Sequence, residues 1–392
     1  MLLLAILAAF SLIAAACGDD DDDTSAGGDD GTSEPSDDGT EEPSDDGTSE
    51  PSDDGEEPMT DDGEEPMHME FDANGDGEVV IGIGTAGPRD DGAYYEAAVN
   101  GAREFAESQG WSDIIVIDNI DPNESGTDLS NLAEQGVDII IIASGESADA
   151  APDLVQEYPD IFWYCRCGAG YPETPGLATS RDDSGAIEYA AGVATGILLE
   201  DSGGDSVYML GGSAADFEVE TELAFRLGLE AVNPEFTLTY VPTGAFPFDF
   251  DNVAGATEAF NVAVDAGADA IYPYLGGAHE PIIQLANEEG LITMSAGASD
   301  VCTRDSDLDW DLAIKFDGGD YIRAVFPLIV AGELDEGDQY VFQVDGPDSV
   351  AGVEICDATP EQQERLEELL APLYAGELAD QLFEIAAEAY GF

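Results

Sequence analysis

Hydrophobic and polar positions divide the chain into three textures. Residues Leu2 to Ala16 are an almost unbroken run of Leu, Ile, Ala and Phe that stops at Cys17. From Gly18 to Glu78 large apolar side chains nearly vanish. From Val79 onward, short β-branched runs alternate with stretches of helical period. The runs Val79–Thr85, Ile114–Asn119, Asp138–Ser144 and Ile161–Cys165 predict strands, as do Val207–Gly211, Thr237–Val241, Ala270–Leu275 and Leu291–Ser295. Between them, helices are predicted near Tyr94–Gln109, Leu129–Gln135, Ala186–Leu199, Glu218–Ala231, Val253–Ala266 and Pro281–Glu289. Strands that are apolar at every position are covered on both faces, and their alternation with helices implies parallel sheets. The stretch is long for one open sheet, and its pattern divides into two similar halves near Ser180, with the chain crossing back near 295. The expected fold class is therefore α/β: two doubly wound Rossmann-like lobes with a ligand cleft between them. Ligands of such sheets sit beyond the carboxyl ends of the strands. The segments after Thr85, Ser144, Gly211, Val241, Leu275 and Ser295 are the places to look for function.

The apolar run before Cys17 is too short for a permanent transmembrane helix and matches the hydrophobic region of a signal peptide. Ala14, Ala15, Ala16, Cys17 and Gly18 read as a lipoprotein cleavage site, with Cys17 as the lipidated new N-terminus. No Lys or Arg precedes the run, which departs from the usual signal. Residues 18–78 repeat Ser-Asp-Asp-Gly and Glu-Glu-Pro units and carry no Lys or Arg. Such a segment cannot bury enough surface to offset chain entropy, and its like charges repel, so a disordered acidic tether is expected. The net charge of −79 extends into the folded part and excludes nucleic acid as a partner. An acidic surface of this kind suggests a host living in high salt.

Cys165, Cys167, Cys302 and Cys356 remain after Cys17. Outside the cytoplasm they are expected to form two disulfides, with three connectivities open. Cys165-x-Cys167 without a nearby histidine is a poor zinc site. Asp72-Ala73-Asn74-Gly75-Asp76-Gly77 resembles the first half of a calcium loop, but Ile83 stands where a bidentate carboxylate is required. It reads as linker, and neither metal nor cofactor is expected.

The loop Gly87 to Tyr95 places Asp91, Tyr94 and Tyr95 just after the first strand. Asp91 suits either a helix cap or a ligand bearing hydroxyls, and the tyrosines suit either packing or a flat ring. With this loop the chain resembles the basic-membrane-protein family of ABC-transporter lipoproteins, which includes purine nucleoside binders. Asp91-Gly92-Ala93-Tyr94-Tyr95 matches that family's aspartate and aromatic, with Tyr95 in place of its asparagine. Tyr189 to Gly196, Leu210-Gly211-Gly212, Phe225-x-x-Gly228, Gly267 to Tyr272 and Gly276-Gly277 continue the resemblance. It implies Tyr94 and Phe246 as a stacking pair on a base. It implies Asp91, with Asp182 or Asp300, as the sugar-binding carboxylates, and Gly276 and Gly277 as the segment closing on the ligand. Lys315, the only lysine, stands where relatives carry one and would donate to a ring nitrogen or hydroxyl; a generic salt bridge is its bland alternative. His279 either caps, packs or reaches the ligand.

The implied function is capture of a small solute, a nucleoside foremost, for ABC permease subunits, on a domain held at the membrane by lipid at Cys17. A sugar or other polar solute is the main rival ligand, and a membrane-coupled sensor is the rival role. A nucleoside hydrolase built on Asp90 and Asp91 with a metal is disfavoured. It lacks an acid for the leaving base, and adjacent residues at a helix start point in different directions.

Overall fold

The computed structural model describes residues 69–168, 170–244 and 250–391. Cys17 and Phe246 lie outside the described residues. The described residues belong to one unit, built around two parallel sheets.

In the first half the elements are β1 (Ile81–Gly84), α1 (Tyr94–Gln109), β2 (Ile115–Ile117), α2 (Ser125–Ala133), β3 (Ile139–Ile142), α3 (Ala151–Glu157), β4 (Phe162–Arg166) and β5 (Leu177–Asp182). Next come α4 (Ser184–Ser202), β6 (Ser206–Gly211), α5 (Asp216–Val232), β7 (Thr237–Pro242), α6 (Val253–Ala266), β8 (Ala270–Pro273), α7 (His279–Glu289) and β9 (Ile292–Thr293). The chain ends with β10 (Leu312–Lys315), α8 (Gly318–Val330), β11 (Gln339–Phe342), β12 (Gly352–Ile355), α9 (Pro360–Tyr374) and α10 (Ala379–Tyr390).

The first sheet has the order β11-β5-β4-β3-β1-β2 and is parallel throughout. The second has the order β7-β6-β8-β9, also parallel. A bridge from Met294 to Leu312 continues it towards the antiparallel pair β10-β12. The four isoleucines of β3 show why the strands read as unbroken apolar runs. Ile139 and Ile141 enter the large core shared with α1 and α8, while Ile140 and Ile142 enter the core under α2 and α3. Successive side chains point to opposite faces, and both faces are covered.

Two helix pairs approach closely because glycine faces backbone. A Cβ on Gly192 of α4 would stand 2.0 Å from the Phe225 carbonyl oxygen of α5. One on Gly319 of α8 would stand 2.4 Å from the Ala97 carbonyl oxygen of α1. This second contact anchors α8 on the first sheet's side. The chain therefore returns to the first sheet after β10, through α8, and not near 295. Ser295 donates its N–H to the Leu312 carbonyl at 2.9 Å, which keeps the segment on the second sheet.

The folded unit also begins earlier than the composition implies, by Met69 and not at Val79. Phe71 packs its ring 6.2 Å from that of Trp111 and 5.8 Å from that of Phe162. Residues 72–77 form a knot in which the Asp72 carboxylate accepts the N–H groups of Gly75, Asp76 and Gly77. Asp138 then clasps the segment by accepting from Ala73 at 3.0 Å and from Val80 at 2.8 Å. Disulfides join Cys165 to Cys167 and Cys302 to Cys356.

Candidate functional site

The carboxyl ends of the strands of both sheets border a cavity of about 700 Å³. From the first sheet's side, Asp91, Tyr94 and Tyr95 enter it on the loop and first turn after β1. Asp91 is 6% exposed, and its carboxylate accepts the N–H groups of Ala93 and Glu96 at 2.9 Å and of Tyr95 at 3.2 Å. It thus caps α1 while lining the cavity. Burial pushes its carboxyl up, against the lowering effect of those three backbone donors. Tyr94 donates its hydroxyl to the Ala143 carbonyl at 3.0 Å, and the two tyrosine rings meet edge to face at 5.5 Å.

Arg166 ends β4 between the two bonded cysteines. Cys165 and Cys167 pack into the core under α2 and α3, so strand alternation turns Arg166 to the opposite face, towards the cavity. Its guanidinium is bonded to Asp182 at the end of β5 and lies 5.0 Å from the centre of the Tyr321 ring. Asp182 also accepts the Tyr321 hydroxyl at 3.0 Å. Burial opposes the charge on Arg166, but Asp182 and the surrounding tyrosines outweigh it and hold the group's pKa well above its ordinary value. Behind this pair, buried Glu188 accepts the Tyr272 hydroxyl at 3.0 Å, and burial pushes its carboxyl well up.

The second sheet supplies an aromatic wall. Phe217, Phe250 and Tyr274 lie with ring centres 6.1 to 6.5 Å apart, and Phe316 stacks on Tyr274 at 5.7 Å. All four line the cavity. Such rings offer flat faces to a sugar or base, while the carboxylates and Arg166 offer acceptors and donors.

Of the residues expected from sequence, the structure brings together Asp91, Tyr94, Tyr95, Asp182 and Gly276. Gly277, Asp300 and Lys315 instead line a separate acidic groove of about 880 Å³, which Asp91 also borders. Asp300 pairs with Arg304 at 2.9 Å and is largely exposed. The reason for Lys315 is again alternation along β10. Lys315 shares a face with Ala313, away from the large core entered by Leu312 and Ile314, and donates to the Ser349 carbonyl at 3.2 Å. Its neighbour Phe316 is the residue that reaches the cavity. His279 is buried against Trp310, ring centres 5.1 Å apart, and burial lowers its pKa to about 4. It packs and does not line the cavity. Phe246 lies outside the described residues; Phe250, four positions on in the sequence, lines the cavity.

Sequence reasoning missed Arg166, Phe217, Glu188, Tyr274 and Phe316. Two signals were present. Arg166 is one of only nine basic residues and sits at the carboxyl end of a strand. Tyr274 lies near the carboxyl end of the predicted strand Ala270–Leu275, in an aromatic-rich Tyr-Pro-Tyr run.

Residues 78–303 match the family model described as Bmp, ABC transporter substrate-binding protein PnrA-like. Among solved structures, the chain is similar to an ABC transporter solute-binding protein from Conexibacter woesei DSM 14684. That likeness has 22% identity and a TM-score of 0.55, covering 76% of this chain and 97% of that one. It is also similar to an ABC transporter solute-binding protein from Aeropyrum pernix K1, at 13% identity and a TM-score of 0.58, covering 80% and 92%. A sugar ABC transporter protein from Yersinia enterocolitica subsp. enterocolitica 8081 gives 16% identity and a TM-score of 0.52, covering 81% and 97%. At these identities the likenesses establish the fold. No curated protein matches the chain significantly. With more than half of its residues matched by the family model and with that fold, the chain belongs to the Bmp family, the PnrA-like ABC transporter substrate-binding proteins.

Proposed function

We propose that this chain is the solute-binding lipoprotein of an ABC importer and that its cavity closes on a purine nucleoside. Its family is one of extracytoplasmic substrate-binding proteins and not of enzymes. The observation that carries the ligand reading is the cavity itself. Tyr94 and Tyr95 share it with Phe217, Phe250, Tyr274 and Phe316, and Asp91, Arg166 and Asp182 line it with them. Its volume lies within the roughly 300–1,000 Å³ of small-molecule sites. Stacking supplies affinity for a flat base, and carboxylates accept from ribose hydroxyls. Binding at the carboxyl ends of two sheets lets closure of the lobes exclude water and create the form that docks on permease subunits. In this reading residues 1–17 are the signal peptide ending at a lipidated Cys17, the acidic segment after it is the tether, and the two sheets form the solute-binding domain. Among the described residues no helix is long and apolar enough to cross a membrane.

The experiment is a thermal-shift screen of the purified chain in high salt against nucleosides, free bases, sugars and amino acids. A ligand that binds only the native state at a hundredfold excess over its dissociation constant adds about 2.7 kcal/mol of stability and raises the melting temperature. A rise with inosine, guanosine or adenosine that is lost in Tyr274→Ala supports the reading. A rise confined to sugars, whose faces could stack on the same rings, replaces the nucleoside with a sugar. For the anchor, mass spectrometry of the membrane fraction should find a diacylglyceryl adduct on Cys17; an unmodified cysteine in a secreted product would refute it.

A further inference from the structure

Arg166 is the one cation among the described residues lining the cavity. The Cys165–Cys167 disulfide fixes the strand end on either side of it. Asp182 and the Tyr321 ring grip the guanidinium from the core side. An arginine carries five N–H donors in a rigid planar fork. Only Nη2 has a hydrogen-bond partner among the described residues, and Nε is fully buried without one. Nε is shut away from the cavity, so the donors left for a ligand are those of Nη1 and the remaining N–H of Nη2.

The charge of the cavity narrows the ligand's chemistry. Asp91, Glu146, Asp149 and Asp182 line it together with this single arginine, whose charge Asp182 already balances. An anionic ligand would enter a negative field, so the acceptors must belong to a neutral molecule. The base of a 6-oxopurine nucleoside presents two neighbouring acceptors, O6 and N7, at the spacing of the arginine fork. Adenine places an amino donor beside N7, so donor would face donor.

We propose that Arg166 reads the acceptor edge of the bound base, so that the cavity takes 6-oxopurine nucleosides in preference to adenosine and excludes their phosphates. This assignment rests on the nucleoside reading of the cavity and adds the group that sets its specificity. Asp182 is the positioning residue, holding the fork in place.

The test is calorimetric titration of the full chain with inosine, guanosine, adenosine, 7-deazainosine and inosine 5′-monophosphate. Inosine and guanosine should bind about tenfold or more tightly than adenosine, the discrimination typical of a bidentate arginine contact. Removing N7 in 7-deazainosine should weaken binding by a similar factor, and the monophosphate should not bind. Arg166→Lys, which keeps the charge but loses the fork, and Arg166→Gln should both bring the inosine-to-adenosine ratio towards one. Melting of each variant without ligand reports whether it folds; if neither does, the 7-deazainosine comparison on the unmodified chain decides. Equal affinity for inosine and adenosine, undiminished binding of 7-deazainosine, or a ratio unchanged in Arg166→Lys would overturn the assignment while leaving a nucleoside binder. Failure of every nucleoside to bind would remove the nucleoside reading and this assignment with it.

Discussion

Glu220 lies on α5, 5% exposed, with one carboxylate oxygen that finds no hydrogen-bond partner. The other side of the group meets the Tyr390 hydroxyl of α10. Burial, reinforced by the nearby charge of Asp182, pushes its carboxyl up to about 7 from an ordinary 4.5. Between those values the native state holds a proton that the unfolded chain has lost. By linkage, stability then falls as pH rises through that window, and the loss is complete above the folded value. A difference of this size corresponds to about 3 kcal/mol. Glu220→Gln keeps the shape and removes the ionisation. The variant should match the parent near pH 4.5 and exceed it by about 3 kcal/mol, roughly 5 °C in melting temperature, by about pH 8. Melting both proteins across that range at one high salt concentration isolates the effect, because the many surface carboxylates are common to both. A stability difference that stays constant across the range would refute the argument. So would a glutamine variant that is the less stable of the two at the alkaline end.

Two further predictions concern the frame around the site. Gly228→Ala places a Cβ 2.1 Å from the Tyr189 carbonyl oxygen and forces α4 and α5 apart; it should cost about 3 kcal/mol or more, and a melting temperature within about 1 °C of the parent would contradict the packing described. The Cys302–Cys356 disulfide spans 54 residues that include α8 and β11, so its loss in Cys302→Ser/Cys356→Ser should remove about 4 kcal/mol of stability by the chain-entropy relation, whereas loss of the Cys165–Cys167 link should remove far less. Chemical denaturation of the two serine variants would check the order, and equal losses would show that loop length is not the controlling variable.

Local pattern carried most of the architecture. The helices Tyr94–Gln109 and Val253–Ala266 form with the bounds their periodicity predicts. The fully apolar run at Ile139–Ile142 implied a strand covered on both sides, and two cores flank it. The elements not predicted were the short α3, strand β5 with its polar end, the C-terminal β11 and β12, and the helices α8, α9 and α10, although α9 carries a legible start signal in Thr359, Pro360 and Gln362. β12 pairs antiparallel with β10 across an intervening helix and strand, a partnership no local period records.

For the site, sequence placed Asp91, Tyr94 and Tyr95 correctly at the strand-to-helix loop, because position after a strand is a local property. It could not separate Gly276 from Gly277, or Lys315 from Phe316, because which of two adjacent side chains faces a cavity depends on the phase of each strand and turn against the other sheet. Arg166 illustrates the same limit. Its residue type and its place between two cysteines are written in the chain. Its partner Asp182 and the Tyr321 ring arrive from β5 and α8, separated from it by 16 residues in one case and far more in the other. The sequence by itself determined the α/β class, the two-sheet organisation and the strand ends where ligands gather, since these follow from short-range periodicity and burial. The tertiary structure alone decided which side chains converge, which carboxylates lose water and shift their ionisation, and which arginine donors are left for a ligand, since those depend on long-range contacts made only when both sheets close around one cavity.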